Sequence, residues 1–221
     1  MLARTPDPLM RLRVLPGGVR GQEPVATDEE IVEGIQGGDR AAAGQLYDRL
    51  FRVVDGTLYR IVGRRGDDHD DLVQSVFEQI LLSVLRRTFA RRCSLTSWAA
   101  CIANNVGLNA LRSWRRQRCV FDRSSDPSLA QEWHADATAA ERLLVARSDL
   151  DRLRACLAAM DPRRAAAVVL HDALGHDLDE VARLSGVSIA AAQSRLVRGR
   201  RELAQRMAAD ERSSDRGTEE A

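Results

Sequence analysis

Asp177–Met207 reads DLDEVARLSGVSIAAAQSRLVRGRRELAQRM, and the way its apolar residues fall decides the fold. Asp177 with Glu180 has the form of an acidic capping box, and Val181 and Leu184 mark a short helix. Gly186 permits a tight turn, and Ser188 caps a final helix. On that helix Ile189, Ala192, Leu196, Leu203 and Met207 share one face. Ala190, Ser194, Arg198 and Arg201 lie opposite, flanked by Arg195. The outline is a helix-turn-helix, with core on one side and hydrogen-bond donors on the other, as insertion into a DNA major groove requires. Two helices that merely pack together give the same outline, so the rest of the chain has to arbitrate.

Upstream, Asp161-Pro162 supplies a cap and an N1 proline for a helix over Arg163–Leu174, with Val168, Val169 and Ala173 inside and Gly175 at its end. Before it, from about Thr138, Leu143, Leu150 and Leu157 alternate with Ala146, Leu153 and Met160. This heptad-like stripe belongs to a helix with a partner. Residues 119–137 carry Asp122, Ser124, Ser125, Asp126, Pro127 and Ser128 with no surviving period and read as a flexible linker. The C-terminal unit is expected at 138–208 and a disordered tail at 209–221.

A second unit, 27–118, precedes the linker. Thr27 with Glu30 forms a capping box for a short helix carrying Ile31, Val32 and Ile35. Asp39 caps a longer one in which Leu46, Leu50, Val54, Leu58 and Ile61 recur at helical spacing, up to Gly63. Leu72, Val76, Ile80 and Val84 step along a third, opened by Asp67, Asp68, His69, Asp70 and Asp71. Those acids are favoured in a first turn by the helix dipole, and adjacent residues point in different directions, which argues against a metal site. An acidic patch that docks on a basic partner protein is the other reading. Residues 1–26, rich in Pro and Gly, read as a flexible leader.

From Gln79 to Phe121 the chain runs 43 residues without Asp or Glu, yet carries Arg86, Arg87, Arg91, Arg92, Arg112, Arg115, Arg116 and Arg118. The whole chain has 32 acidic residues and a formal charge of only +1. So local a segregation points to an anionic partner, with nucleic-acid phosphate the leading candidate over a merely solvated face. Ser94 caps a helix with Leu95, Trp98, Ile102 and Val106 on one face and Asn104, Gly107 and Arg115 on the other. Arg112 and Arg116 lie nearer the edges. Leu111 and Trp114 stand off the main stripe and call for a second packing surface.

Only 4% of residues are aromatic, and Ala, Leu and Arg dominate, so the fold class expected is all-α: two small helical domains joined by a flexible linker. No apolar run approaches the ~20 residues of a membrane span, and Arg11 and Arg13 interrupt Leu9–Leu15; no membrane insertion and a cytoplasmic location are expected. Cys93, Cys101, Cys119 and Cys156 have neither CxxC spacing nor a paired His and read as packing residues. Neither metal nor cofactor is expected. His69, His134, His171 and His176 lack metal-ligand spacing and a nucleophile companion, which speaks against an enzyme.

DDLVQSVFEQIL, Asp70–Leu81, resembles the part of bacterial sigma factors that docks on the polymerase clamp. SWAACIANNVGLNALRSWRR, Ser97–Arg116, resembles the adjoining helix that melts the promoter and reads its minus-ten element. Leu157–Leu203 resembles the minus-thirty-five-binding domain. The order and short linker are similar to the extracytoplasmic-function group. The resemblance implies a non-catalytic promoter-specificity subunit whose partners are core RNA polymerase, promoter DNA and an anti-sigma factor. It implies that Asp71, Gln74 and Phe77 contact the clamp. Arg91, Arg92, Asn104 and Asn105 would capture minus-ten bases, and Arg112, Arg115 and Arg116 would hold backbone. Ser194, Arg195, Arg198 and Arg201 would serve the upstream element. The family often has a charged residue where Ser75 sits and Arg where Asn104 sits, and Ala190-Ala191-Ala192 leaves the start of the recognition helix few base-reading donors. A dimeric helix-turn-helix regulator that does not bind polymerase is the rival reading, with the Leu143–Met160 stripe as its dimer face; it leaves Asp70–Leu81 unexplained.

Overall fold

The computed structural model describes residues 26–121 and 137–219, and every regular element among them is helical. The leader and most of the linker lie outside the described residues.

The N-terminal unit contains α1 (Asp28–Gln36), α2 (Arg40–Val62), α3 (Asp68–Leu85) and α4 (Leu95–Phe121). The starts of α1, α2 and α4 are set by local hydrogen bonds. Thr27 Oγ1 accepts from the Glu30 amide at 3.3 Å while Glu30 Oε2 accepts from the Thr27 amide at 2.7 Å, the reciprocal capping box. Asp39 and Ser94 cap α2 and α4. Gly63, at φ +81°, closes α2 in the left-handed region that β-carbons disfavour. Leu46, Leu50, Val54 and Leu58 of α2 meet Val76, Ile80 and Val84 of α3 and Leu95, Ala99 and Ala103 of α4, all buried. Each of the larger side chains contributes about 1.5–3 kcal/mol by leaving water. At the α2–α3 corner, buried His69 meets Asp55 at 2.7 Å, and Arg65 grips the same carboxylate at 2.6 Å.

The C-terminal unit contains α5 (Ala137–Ala159), α6 (Pro162–Val168), α7 (Leu178–Ser185) and α8 (Ile189–Glu219). Asp161 accepts from the amides of both Arg163 and Arg164, and Asp177 from Glu180. The helix read over Arg163–Leu174 begins at Pro162 and widens into a π turn at Val169–Ala173. Asp172 in that turn is held by Arg200 of α8, whose Nε donates at 2.9 Å. Val181, Ala182, Ala192 and Leu196 are buried between α7 and α8. Gly199 lets α8 lie against α6: a β-carbon there would stand 2.8 Å from Val168 and 3.0 Å from the Arg164 carbonyl.

Several sequence expectations are corrected. Ile189 does not share the buried face of α8; it is 50% exposed at the helix start, before α7 can cover it. The α5 stripe is buried only from about Leu153 onward. Ala146 and Leu150 are exposed, and the side chain of Leu143 is outside those described. α8 continues past Met207 to Glu219, aided by the Arg152–Asp210 ion pair, and α4 runs on to Phe121, into the stretch read as linker.

The second packing surface expected for α4 is present. Leu108 and Leu111, with Ile61 of α2, bury against Leu157, Met160, Ala165 and Val169, and Trp114 packs at the edge. The two units therefore share a core.

Candidate nucleic-acid and protein interfaces

The Arg-bearing loop between α3 and α4 is built by backbone geometry before side chains act. Arg87 and Arg91 take φ of +57° and +53°, uncommon for residues with a β-carbon. Thr88 turns the chain by bonding the Ser83 carbonyl through both its amide and its hydroxyl. Phe89 then lies tilted on Trp98, ring centroids 4.4 Å apart, which ties the loop to α4.

Although Gln79–Phe121 holds no acid, α1 brings two to it in space. Arg91 reaches Glu33 at 3.4 Å and Glu29 at 3.6 Å. Beside this pair lies a recess of about 140 Å³ lined by Asp28, Glu29, Val32, Phe89, Arg91 and Cys93. Asp28 is fixed by Arg49 at 2.5 Å and accepts from the Leu95 amide at 3.1 Å, so one carboxylate anchors α1, α2 and the start of α4. The recess thus has an aromatic wall, Phe89, and carboxylates that are engaged by Arg49, Arg91 and the Leu95 amide. Sequence reasoning missed Asp28, Glu29 and Phe89. The only local signal was an aromatic set among arginines.

The residues expected on the downstream promoter element divide. Arg91, Arg92, Asn105, Arg115 and Arg116 are exposed. Asn104 and Gly107 are not on an outer face, and this corrects the reading of α4. Asn104 is completely buried beneath the C-terminal unit, its Nδ2 donating to the Ala166 carbonyl at 3.4 Å. Its Oδ1 finds no donor among the described residues. Gly107 is packed against Ile61. Arg112 is half-buried; Nη1 donates to Asn109 while Nε and Nη2 are buried without acceptors among the described residues. Burial pushes its guanidinium below the ordinary value, with Asp161 opposing and Arg116 adding.

On α8, Arg198 and Arg201 are exposed and Ser194 and Arg195 half-buried. None of these three arginines pairs with a carboxylate among the described residues. Their neighbours do: Arg200 serves Asp172, and Arg206 with Arg164 holds Glu202. The sequence did not separate engaged arginines from free ones.

On α3, Asp71 and Gln74 are exposed, with Gln74 bonded to Glu78. Phe77 is only 7% exposed and belongs to the core, where it lies 4.6 Å from Tyr47. Phe51, 37% exposed and 5.3 Å from Tyr47, carries the aromatic group outward. Half-buried Tyr47 and exposed Phe51 are therefore the members of this aromatic group nearer the surface, and Phe77 is the one in the core. Burial raises the Tyr47 phenol, and Asp70 adds to the effect.

No helix among the described residues is long and apolar enough to cross a membrane, and no cluster of three or more metal-ligating side chains occurs there.

Two family models match. Residues 46–117 match the sigma-70 region 2 family and residues 150–203 the sigma-70 region 4 family. The ECF RNA polymerase sigma factor SigE of Mycolicibacterium smegmatis is 30% identical over 75% of this chain, which spans 63% of that protein's length. The ECF sigma factor SigM of Mycobacterium tuberculosis is 28% identical over 80% of this chain and 83% of its own. Among solved structures, CnrH in complex with the cytosolic domain of CnrY aligns with a TM-score of 0.49 and 22% identity, over 83% of this chain and 98% of that one.

Proposed function

Since the chain belongs to the sigma-70 family, in its extracytoplasmic-function group, we propose that it is a promoter-specificity subunit: it binds core RNA polymerase and directs initiation, including duplex opening, at its own promoters. The observation that carries this reading is the pairing of region 2 and region 4, in that order, on two helical units of one chain.

The proposed division of labour follows from exposure and charge. Asp71, Gln74, Tyr47 and Phe51 form the polymerase-facing surface, acidic and aromatic. Arg198, Arg201 and the half-exposed Arg195 and Ser194 engage the upstream element. Few base-reading donors start that helix, so the upstream element is read largely through DNA shape and phosphate contacts. Downstream, Arg92, Arg115 and Arg116 hold backbone while Asn105 meets exposed base edges. The recess between Phe89 and Asp28 takes one flipped base, and its carboxylates favour a base with an exocyclic amine. Residues 119–137 link the two promoter-binding units across the spacer. The protein is non-catalytic and cytoplasmic, and an anti-sigma protein holds it inactive by covering polymerase-facing surfaces.

Run-off transcription on a fragmented genomic library, with core polymerase alone and with this protein added, tests the reading. Discrete transcripts that require the protein are expected. Their absence, together with failure to co-elute with core polymerase, would return the dimeric regulator to first place.

A further inference from the structure

The corner between α2 and α3, residues 63–67, carries two adjacent arginines in different situations. Arg65 is engaged: it donates to Asp55 from Nε at 3.2 Å and from Nη2 at 2.6 Å, and its guanidinium lies 4.6 Å from the centre of the Tyr59 ring. Arg64 instead crosses to α4, where its guanidinium lies 4.8 Å from the centre of the Trp114 ring. The ring places that cation without neutralising it. Among the described residues the only carboxylate within 4.0 Å is that of Asp68, at 3.8 Å, and both side chains are 60% exposed. An exposed pair of that kind contributes little in water, so a phosphate can replace it.

Trp114 joins this corner to the end of α4 that carries Arg115 and Arg116. Its ring packs at the edge of the shared core, and the two arginines that follow it are exposed. Arg60, one turn before the corner, is exposed as well. Arg60, Arg115 and Arg116 meet no carboxylate among the described residues. The acid-free surface of α4 therefore continues onto a corner that lies far from it in the sequence. Its chemistry distinguishes between nucleic-acid partners. A single strand is gripped by stacking its bases on open aromatic faces. Here Tyr59 is covered by Arg65, and Trp114 is taken up by the core and by Arg64. What remains is positive charge with no stacking surface, which fits the phosphate backbone of a duplex.

We propose that Arg64 is a further DNA-binding residue: held on Trp114, it carries the backbone track of Arg115 and Arg116 onto the α2–α3 corner, where duplex DNA lies against it. Only the identity of that duplex as promoter DNA rests on the sigma-factor reading. The end of α4 leads on toward the C-terminal unit, so the duplex held here is the spacer between the two promoter elements. Arg64 fixes its backbone without reading its sequence.

Fluorescence anisotropy of the full chain with a labelled duplex of random sequence, and with one of its strands, over a series of salt concentrations reads the contact. Each phosphate contact on a duplex steepens the slope of log affinity against log salt by about 0.9. Arg64→Ala should therefore reduce the slope by about one and weaken duplex binding about eightfold at ~0.1 M salt, one decade below the 1 M reference. Arg64→Lys keeps the charge and should keep the slope. Arg65→Ala, whose guanidinium is held by Asp55, should leave the slope unchanged. Binding of the single strand should change less than about twofold in Arg64→Ala, because it draws on stacking surfaces elsewhere. Asp68→Asn, which frees Arg64, should tighten duplex binding, and by less when combined with Arg64→Ala.

An unchanged duplex slope in Arg64→Ala would overturn the proposal. So would a loss of slope shared by Arg64→Lys, which marks a structural role, or an equal loss for duplex and single strand. If Arg64→Ala does not fold, as judged by circular dichroism, Asp68→Asn carries the test with the opposite sign. Co-elution with core polymerase from the same preparations separates the two readings. Its failure in the parent chain counts against the sigma assignment, and the slopes still decide the role of Arg64. Loss of co-elution confined to Arg64→Ala would place the corner against polymerase and overturn the proposal.

Discussion

Asp28→Ala should destabilise the N-terminal unit by about 2 kcal/mol, and the size follows from what the carboxylate touches. Its Oδ2 accepts from the Leu95 amide at 3.1 Å; Leu95 is fully buried, at the first turn of α4. Removing that acceptor leaves a buried N–H unpaired, at a cost of ~1–3 kcal/mol. Its Oδ1 pairs with Arg49 at 2.5 Å, but the Asp28 side chain is 40% exposed, so solvent screening limits this part to under about 1 kcal/mol. Arg49 keeps a second partner in the Ala26 carbonyl, so it is not abandoned. For a chain of this size about 2 kcal/mol lowers the melting temperature by roughly 4–8 °C. Thermal melts followed by circular dichroism measure it. Asp28→Asn retains an oxygen for Leu95 and should lose less than half as much. A double-mutant cycle with Arg49→Ala isolates the ion-pair share. An Asp28→Ala melt within about 1 °C of the parent chain would refute the claim that this carboxylate anchors α4. If the carboxylate also frames a base-binding recess, Asp28→Asn should weaken capture of a single-stranded downstream element more than it lowers the melting temperature, which fluorescence anisotropy with labelled oligonucleotides would show.

Phe77→Ala should cost ~3–5 kcal/mol because the ring is core, whereas Phe51→Ala and Asp71→Arg should fold normally and lose affinity for core polymerase; melts and co-elution separate the two effects. Arg198→Ala and Arg201→Ala should each weaken upstream-element binding and reduce the slope of log affinity against log salt by about one, while Arg200→Ala, whose guanidinium serves Asp172, should leave that slope unchanged; binding titrations at several salt concentrations decide. Hydrogen bonds from Arg65 hold the Asp55 carboxylate below its ordinary value against the pull of burial, and His69 adds to them. A depressed folded-state pKa contributes stability that is present above the unfolded value of about 4 and is lost as pH falls through the folded value. Asp55→Asn should therefore flatten the acid limb of the stability curve below about pH 4, read from denaturant midpoints across pH.

The upstream contacts proposed above fall on α8, a helix whose first turn is apolar. Ala190, Ala191 and the exposed Ile189 can contact thymine methyl groups but offer no hydrogen bonds to base edges. Discrimination upstream would then be shallow, and the recess beside the Arg91 loop would bear more of the promoter choice.

Helix starts at Thr27, Asp39, Ser94, Asp161, Asp177 and Ser188 were all legible, because each depends on a side chain and an amide two or three residues away. The apolar stripes of α2, α3 and α4 were legible for the same reason: a period of three to four residues is written locally, and so was the need for a second surface at Leu111 and Trp114. What covers that surface was not written there. Asn104 looked outward because it lies on the face of α4 opposite the Leu95–Val106 stripe, and it is buried because Ala166, 62 positions later, lies over it. Arg200 and Arg201 are neighbours in sequence, yet Asp172 engages only the first. The recess needs α1 to bring Asp28 and Glu29 to a loop some sixty residues away. Amphipathic period and capping chemistry act over one or two helical turns, so the sequence by itself determined the helices, the two units and the basic character of α4 and α8. Which polar groups remain free to bind depends on carboxylates and backbones far along the chain, and only tertiary packing decided that.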